Sequence, residues 1–273
     1  ERLIYISGQG QLKDFTAQHP ALSERPVGPF NFGFGGKVSA QFASWRAPWV
    51  GYGLRISDGY LSLGQIKTTV GLDVDYSEDN YVIQAYANAD PVDGSVLGSA
   101  IPPGLMPQLA PMEAVGKIGF KAALYIDSTD YDSTRLKVEV PKERFRITKM
   151  NPKINFGRLR TKFKVSHTLS AGDGLEVTQS RIAGPTTKRW VPLYSVPPLL
   201  PTAIRSQEDW GFFRHAGISV FHLRGSLVAN LKSKRFRRGG STMTMQLARN
   251  LFLTRKKTLS RKLQEIVLAW RLE

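Results

Sequence analysis

Apolar and polar residues alternate in short runs between about Lys37 and Arg181, and turn-forming residues separate the runs. A period of two is typical of β-strands with one buried face, because successive side chains point to opposite sides of a sheet. This part of the chain is therefore predicted to be an antiparallel, all-β domain, either one sheet or a sandwich. The clearest runs are 52-YGLRI-56, 66-IKTTVGLDVDY-76, 80-NYVIQAYANA-89, 117-KIGFKAALYI-126, 135-RLKVEV-140 and 160-RTKFKVSH-167.

Glycine and proline divide these strands. The dipeptides Asp58-Gly59 and Asp93-Gly94 predict turns, since both residue types tolerate the backbone conformations that tight turns require. Residues 101–111 (IPPGLMPQLAP) are predicted to form a loop, because proline lacks the N–H that a central strand must donate.

The spacing of apolar residues changes after a proline-rich segment at residues 183–204, which is predicted to be an extended connector. Beyond it, apolar positions lie three or four residues apart through 218–231, 243–253 and 259–272, as in amphipathic helices. The chain is therefore predicted to be α+β, with a β-rich domain at residues 1–185 and a mainly helical one at 186–273.

The charge of the chain is concentrated near its C-terminus. The formal net charge is +16, and residues 201–273 contain 15 basic and 4 acidic side chains. Such an excess favours anionic partners, namely nucleic acid, anionic lipid or a phosphate-bearing substrate. The absence of cysteine excludes disulfides and thiolate metal sites.

Both ends of the sequence suggest a piece of a longer protein. The chain begins at Glu1 rather than at Met, and Glu273 follows a strongly helical segment without a capping glycine or proline. No apolar run approaches the roughly 18 to 20 residues that cross a bilayer, so any membrane anchor is expected upstream.

The first stretch with candidate chemistry is 206-SQEDWGFFRHAG-217, where Glu208 and Asp209 precede aromatic residues, His215 and a glycine. Alone, it is better interpreted as a helix end with solvated acids and core phenylalanines. His19, His167 and His222 have no partners at ligand spacing and are expected to be incidental.

The second stretch is 238-RGGSTMTMQLARNLFL-253, in which two glycines and possible helix caps precede an amphipathic helix. The free N–H groups at its start suit an anion, and the glycines let a backbone approach a ligand closely. Met243, Leu247 and Leu251 are predicted to face the core, whereas Gln246, Arg249 and Asn250 form another side.

The third stretch is 255-RKKTLSRKLQEIVLAWRLE-273, whose apolar stripe comprises Leu259, Leu263, Ile266, Val267 and Trp270. Glu265 lies four residues after Arg261 and three after Lys262, so it can pair with either on a helix. On this stretch alone, a surface ion pair is the favoured interpretation.

Taken in order, the three stretches resemble the peptidoglycan glycosyltransferases of class A penicillin-binding proteins and monofunctional transglycosylases. The family's first three motifs match 208-EDWGFFRHAG-217, 239-GGSTMTMQLARN-250 and 261-RKLQEIVLAWRLE-273, and the lead-in 190-WVPLYSVPPLLPTAIRS-206 is also typical. The resemblance covers about residues 186–273 and implies a lysozyme-like helical fold there. It implies nothing for residues 1–185.

The resemblance implies a transferase that joins the disaccharide of lipid II to a growing glycan strand with inversion. Glu208 matches the family's catalytic glutamate, which takes the proton from the acceptor's 4-hydroxyl group. Glu265 matches the family's second functional glutamate, which orders basic side chains or a divalent ion around the pyrophosphate. No cofactor is firmly implied, and a divalent cation, Mg or Mn, at the pyrophosphate is the single candidate.

The resemblance also assigns the leaving pyrophosphate to fixed cations, since negative charge grows there in the transition state. The residues that match the substrate-binding positions are Ser241, Thr242, Gln246, Arg249, Lys257, Arg261 and Lys262. Asp209 and His215 are expected to shape the site rather than to react.

Implied partners are lipid II, the glycan strand and an anionic membrane surface, at the periplasmic or outer face of the bacterial inner membrane. No nucleic acid is expected. Segment 218–238 corresponds to a region that dips into the membrane in the family, and a buried core helix explains its apolar residues equally well.

The sequence departs from the family at three positions. Met245 replaces a glutamine, Arg249 replaces a lysine, and Gln264 stands where lysine is frequent. The family's fourth and fifth motifs would lie beyond Glu273. The segment is therefore expected to be incomplete and inactive alone, with the apolar stripe at 259–270 lacking the helices that cover it.

Two other functions remain open. The β-rich part faintly resembles the AsmA-type domains of bacterial envelope proteins, so a non-catalytic envelope protein with a lipid- or partner-binding sheet and a remnant transferase segment is one alternative. The other is a nucleic-acid-binding module that uses Phe236 among the cations of 232-KSKRFRRGG-240.

Overall fold

The computed structural model of the chain describes residues 2–42, 51–170, 176–254 and 256–273. An eight-stranded antiparallel sheet dominates the N-terminal part, with spatial order β1 to β7 and with β8 also paired to β6. The strands are β1 (Arg2–Ala17), β2 (Val27–Phe42), β3 (Gly51–Leu63), β4 (Ile66–Ser77), β5 (Asn80–Asp93), β6 (Glu113–Asp127), β7 (Arg135–Glu139) and β8 (Lys142–Lys149). A separate hairpin joins β9 (Phe163–Ser170) to β10 (Glu176–Ala183).

The register of the large sheet gathers apolar residues on one face. Ile6 pairs with Val38, Val38 with Ile56, and Ile56 with Leu72. Directly paired residues share a face, so this row continues the period-two pattern across neighbouring strands. On the other face, the neighbouring pair Arg55 and Asp73 forms an ion pair at 2.7 Å.

The predicted alternation is therefore found, and of the two predicted alternatives the described residues form one sheet rather than a sandwich. Helix α1 (Gly94–Ala100) packs on β6, and no described helix packs extensively across β1 to β4. Ile6 remains 64% exposed and Val38 37% exposed on the apolar face. In the described part of the chain this is a single-layered sheet.

Both predicted Asp-Gly turns are wrong. Asp58 and Gly59 lie inside β3, where the pairing shifts by one residue, and Asp58 has a positive φ of 52°. Asp93 instead caps α1, and its carboxylate accepts a hydrogen bond from the N–H of Ser95. The tight turn between β4 and β5 is made by Glu78 and Asp79.

The C-terminal part is helical, so the mixed α+β class is confirmed. Its helices are α2 (Leu199–Glu208), α3 (Val220–Ser233), α4 (Met243–Phe252) and α5 (Leu259–Leu272). Ser219, Thr242 and Thr258 cap α3, α4 and α5 through their hydroxyl oxygens. These hydroxyls satisfy first-turn N–H groups that have no partner within the helix.

The connector at 183–204 is less extended than predicted. Residues Leu193–Ser195 form a 3₁₀ turn, and α2 already begins at Leu199 with Pro198 at its N-cap. Pro201 is accommodated because it lies in the first turn, where its missing N–H removes no intrahelical hydrogen bond. The domain boundary at 185/186 remains a prediction.

The two parts share a hydrophobic cluster. Leu109 of the proline-rich loop at residues 101–111 is fully buried against Ala248 of α4 and Leu268 of α5. Met106, Met112, Met150, Ile154 and Phe156 from the N-terminal part pack around these three residues. The N-terminal part thus covers the Leu268 side of α5, whereas a cover of the whole predicted stripe by further helices stays a prediction.

The buried side of α5 also differs from the predicted stripe. Leu259 is 52% exposed, whereas Ser260, Gln264 and Leu268 are buried at intervals of four residues. Trp270 is half-buried and stacks on Phe145 of β8, with ring centroids 5.9 Å apart. The helical period was correct, but three of the five buried positions of α5, namely Ser260, Gln264 and Glu265, are polar.

Candidate active site

Glu208 is the last residue of α2 and is exposed to solvent. Its Oε2 accepts a hydrogen bond of 3.0 Å from Nε2 of Gln246 on α4. The structure thus brings together two predicted site residues that are 38 residues apart. A carboxylate with one protein partner and an open side can still accept a proton from a bound hydroxyl group.

Asp209, the next residue, is buried and serves the scaffold. Its carboxylate lies 3.0 Å from Nε2 of His215 and 3.6 Å from Nδ1 of His222. It also accepts a hydrogen bond of 3.1 Å from the backbone N–H of Met243, the first residue of α4. His222 was expected to be incidental, and this buried contact shows the expectation to be wrong.

Two of the N–H groups at the start of α4, where an anion site was expected, already bind acceptors within the protein. Asp209 occupies the first N–H group, and the Thr242 hydroxyl accepts from the N–H of Met245 at 3.2 Å. Thr242 is fully buried and donates its hydroxyl hydrogen to the carbonyl oxygen of Gly217. The positive end of the helix dipole is therefore matched by an internal carboxylate.

The two glycines before α4 have different roles. A Cβ on Gly240 would lie 2.9 Å from Cδ2 of Leu223, so a side chain there would collide with α3. A Cβ on Gly239 would have nothing within 4 Å. Only Gly239 offers open backbone for a ligand, and Gly240 is required for helix packing.

Helix α4 is rotated relative to the sequence prediction. Its buried residues are Thr244, Met245 and Ala248, whereas Leu247, predicted to face the core, is 48% exposed. Met245 therefore occupies a core position. Methionine in place of the family's glutamine thus removes no polar group from the surface that bears Gln246. A methionine suits this position because its flexible thioether fills an irregular core.

Two cations pair with a buried carboxylate beside this surface, and Arg249 lies near enough for its charge to act on both of them. We call Arg249, Arg261, Lys262 and Glu265 the basic cluster. Glu265 is fully buried and forms ion pairs with the guanidinium of Arg261 and, at 3.1 Å, with Nζ of Lys262. Nζ of Lys262 also donates to Oγ of Ser241 at 2.7 Å. Stretches two and three of the sequence thus meet in space.

The basic cluster carries more positive than negative charge. Burial lowers the pKa of Lys262 to about 8, and the charges of Arg261 and Arg249 act in the same direction. Glu265 opposes this effect, since an opposite charge favours the protonated amine. Burial and the nearby Arg249 also lower the pKa of Arg261. An anion bound here would relieve the repulsion among the cations.

Other predicted residues lie outside the basic cluster. Lys257 is exposed and forms no ion pair with the residues that the structure describes, and Arg255 lies outside the described residues. Gln264 is buried, and its Oε1 accepts a hydrogen bond of 2.8 Å from the N–H of Gln108.

The described residues hold no group of three or more histidine and acidic side chains that suits a metal ion. The basic cluster has one carboxylate, and both of its oxygens contact cations. These side chains do not fit a divalent cation of their own, because Mg²⁺ and Mn²⁺ prefer several oxygen ligands.

Apolar side chains are exposed on α3 and around it. Phe213 is 79% exposed with Arg205 over its ring, and Phe236 is 81% exposed. Helix α3 buries Val228 but exposes Phe221, and its contact with a membrane stays a prediction. Among the described helices, none has the length and apolar character to cross a bilayer.

Comparison with known proteins agrees with the motifs. Residues 175–273 match the family model described as Transglycosylase. This C-terminal segment therefore belongs to the transglycosylase family, as its three motifs predict.

Two relatives show the extent of the match. Penicillin-binding protein 1A/1B of Bacillus subtilis is 34% identical over 122 residues, which are 45% of this chain and 13% of that protein. A biosynthetic peptidoglycan transglycosylase of Nitrobacter winogradskyi is 33% identical over 107 residues, or 39% of this chain and 46% of that protein. The chain thus spans less than half the length of these curated relatives. No solved structure matches the chain.

Proposed function

We propose that the protein of which this chain is part is a peptidoglycan glycosyltransferase that polymerises lipid II with inversion. The main support for the proposal is the hydrogen bond between Glu208 at the end of α2 and Gln246 on α4. Gln246 lies one helical turn before Arg249 of the basic cluster. The candidate base lies on α2 and the cations lie on α4 and α5, the three helices that the family motifs mark.

Glu208 acts as the general base in this proposal. It accepts the proton of the acceptor's 4-hydroxyl group as that oxygen attacks C1 of the donor sugar. Attack from the face opposite the leaving group inverts the anomeric centre as the bond from C1 to the pyrophosphate oxygen breaks. Gln246 orients the carboxylate through the 3.0 Å hydrogen bond to Oε2.

The basic cluster receives the charge that grows on the pyrophosphate. Arg249, Arg261 and Lys262 are fixed cations in a partly buried setting, where electrostatic stabilisation is stronger than in water. Glu265 holds Arg261 and Lys262 in place, and Ser241 fixes the Lys262 amine. Lys257 is an exposed cation that would contact the same anion. No step passes through a metal.

The exposed aromatic side chains define the surface that faces the membrane. Phe213, Phe221 and Phe236 are more than half exposed and lie among arginines. Apolar side chains beside cations suit the interface of an anionic bilayer, where a lipid-linked substrate resides. We place the protein at the periplasmic or outer face of the inner membrane.

Polymerisation of lipid II by the full-length natural protein tests the proposal. Purified protein and lipid II in anionic vesicles should yield glycan strands that are separable by gel electrophoresis. Lysozyme-sensitive products of increasing length support the proposal. An absence of polymer, with intact binding of lipid II, would instead support a non-catalytic envelope protein, and salt-dependent binding of arbitrary DNA would support a nucleic-acid-binding module.

A further inference from the structure

Helix α5 has two faces with separate partners. One face carries Arg261, Lys262 and Glu265 of the basic cluster. The other carries Ser260, Gln264 and Leu268, which are spaced by four residues and at most 3% exposed. The second face lies against the N-terminal part of the chain, so the location of the cations depends on contacts made on the opposite side of the helix.

The start of α5 is fixed by backbone hydrogen bonds from the segment between β1 and β2. The N–H of Leu259 donates to the carbonyl oxygen of Ala21 at 2.8 Å, and the N–H of Ser260 donates to that of Leu22 at 2.8 Å. First-turn N–H groups have no acceptor within their own helix, so these two carbonyls set where α5 begins.

The middle of α5 is fixed by the proline-rich loop. Gln264 accepts the N–H of Gln108, and Leu268 packs on Leu109 one residue further along the same loop. A lysine at position 264, which is frequent in the family, would bring an ammonium group towards the Gln108 N–H donor. Glutamine at position 264 therefore lets α5 accept a hydrogen bond from the N-terminal part of the same chain.

Helix α4, which carries Arg249, is held from the same side. Nη2 of Arg158 donates to the carbonyl oxygen of Leu251 at 3.0 Å, and its guanidinium lies over the ring of Phe252. The Phe156 ring meets Phe252 edge to face, with centroids 5.4 Å apart. Both helices of the basic cluster thus rest on residues 106–158.

We propose that the N-terminal part is a positioning element for the basic cluster and that Gln264 is its positioning residue, an inference that rests on the proposed function. Cations stabilise a transition state only when they are held at the site of the developing charge. Displacement by about 1 Å can cost up to about a hundredfold in rate. The sheet-rich part then contributes to catalysis without touching the substrate.

Substitution of Gln264 by Met tests the inference in the full-length protein. Methionine keeps the volume but cannot accept the Gln108 hydrogen bond. We expect kcat for lipid II to fall about tenfold with KM within about twofold, since the cations act on the leaving group rather than on ground-state binding. Gln264→Glu, which retains an acceptor oxygen, should recover part of the lost kcat.

Ser128→Ala is the matched control. The Ser128 hydroxyl accepts the N–H of Tyr81 at 2.7 Å in the N-terminal part, so its loss removes the same kind of bond away from α5. It should lower the melting temperature comparably and leave kcat unchanged. If the two variants lose kcat in proportion to their loss of stability, or if neither loses kcat, Gln264 has no positioning role.

Hydrogen exchange separates this inference from the proposed function. Gln264→Met should accelerate amide exchange in α5 about tenfold, and Ser128→Ala should not. Unchanged exchange in α5 overturns the inference even if the enzyme polymerises lipid II. Faster exchange in a protein with no polymerase activity supports the structural link and rejects the proposed function. If Gln264→Met does not fold, Glu24→Ala replaces it, because this change removes the acceptor of the 2.6 Å hydrogen bond from the Thr254 hydroxyl just before α5. Glu113→Ala, which removes an exposed carboxylate from the sheet, is then the control.

Discussion

The carboxylate of Asp209 at the end of α2 accepts the backbone N–H of Met243 at the start of α4, across 34 residues of chain. The same carboxylate lies 3.0 Å from His215. One buried acid therefore fixes the angle between the helix that presents Glu208 and the helix that presents Gln246. The scaffold of the candidate site depends on the residue next to the candidate base.

Replacing Asp209 by Ala should destabilise the folded chain by about 3 kcal/mol, because the Met243 N–H group and the buried His215 imidazole lose their hydrogen-bond partner. Thermal unfolding measured by calorimetry checks this. Asp132→Ala is the control, since its carboxylate makes an exposed ion pair with Lys232 that is worth less than about 1 kcal/mol. Equal stability of the two variants would contradict a scaffold role for Asp209.

Replacing Glu208 by Gln should reduce lipid II polymerisation by about a hundredfold or more, since the amide keeps the size of the side chain but cannot take a proton. Binding of lipid II should largely survive. Glu113→Gln, which removes an exposed carboxylate from the sheet, should leave the rate unchanged. A Glu208→Gln enzyme that works at the parent rate would remove the proposed mechanism.

Replacing Glu265 by Gln should also slow turnover, but for a different reason. Arg261 and Lys262 would lose their shared counter-charge and repel each other. Because salt screens charges that are partly exposed, this defect should vary with ionic strength more than the defect of Glu208→Gln. Parallel salt titrations of kcat for both variants measure the difference, and identical salt profiles would contradict separate roles.

The rate should fall as the pH rises through about 8, where Lys262 loses its proton. The pKa of Lys262 is lowered, so the cation is present below pH 8 and is progressively lost above it. Lys262→Arg keeps its charge throughout this range and should abolish the alkaline decline, although the planar group fits less well. Lys232→Arg, an exchange at an exposed lysine, should leave the pH profile unchanged.

Two glycines form a matched pair for a test of packing. Gly217 has a φ of +78°, and a Cβ there would lie 2.9 Å from the backbone of Ala269, so Gly217→Ala should cost about 1 to 3 kcal/mol. Gly239→Ala meets open space and should not lower the free energy of unfolding in urea. Greater destabilisation by Gly239→Ala would contradict the described packing.

Periodicity predicted the type of structure more reliably than its position. Strands between Tyr52 and Glu139 alternate clearly, whereas β1 was missed because Leu3, Ile4, Tyr5 and Ile6 are consecutive apolar residues on an uncovered edge strand. Asp93-Gly94 began a helix instead of a turn, since aspartate suits both. Local sequence does not distinguish these outcomes.

Motif order predicted which helices carry the candidate site, but it could not predict contacts between distant segments. His222 contacts Asp209 only because α3 folds back over the end of α2. Burial of Gln264 depends on a loop more than 150 residues earlier in the chain. Leu247 lost its predicted core position because Thr244, Met245 and Ala248 face the neighbouring elements.

The shared hydrophobic cluster limits how this protein can be recombined with its relatives. A chimera joined at the proline-rich connector would separate Leu109 from Ala248 and Leu268 and expose an apolar seam on each fragment. A transplant of the helical segment would need the loop at 101–112 as well, or a new surface on Ser260, Gln264 and Leu268. A transplant that keeps this packing therefore needs two separate stretches of the chain, although all three family motifs lie within residues 208–273.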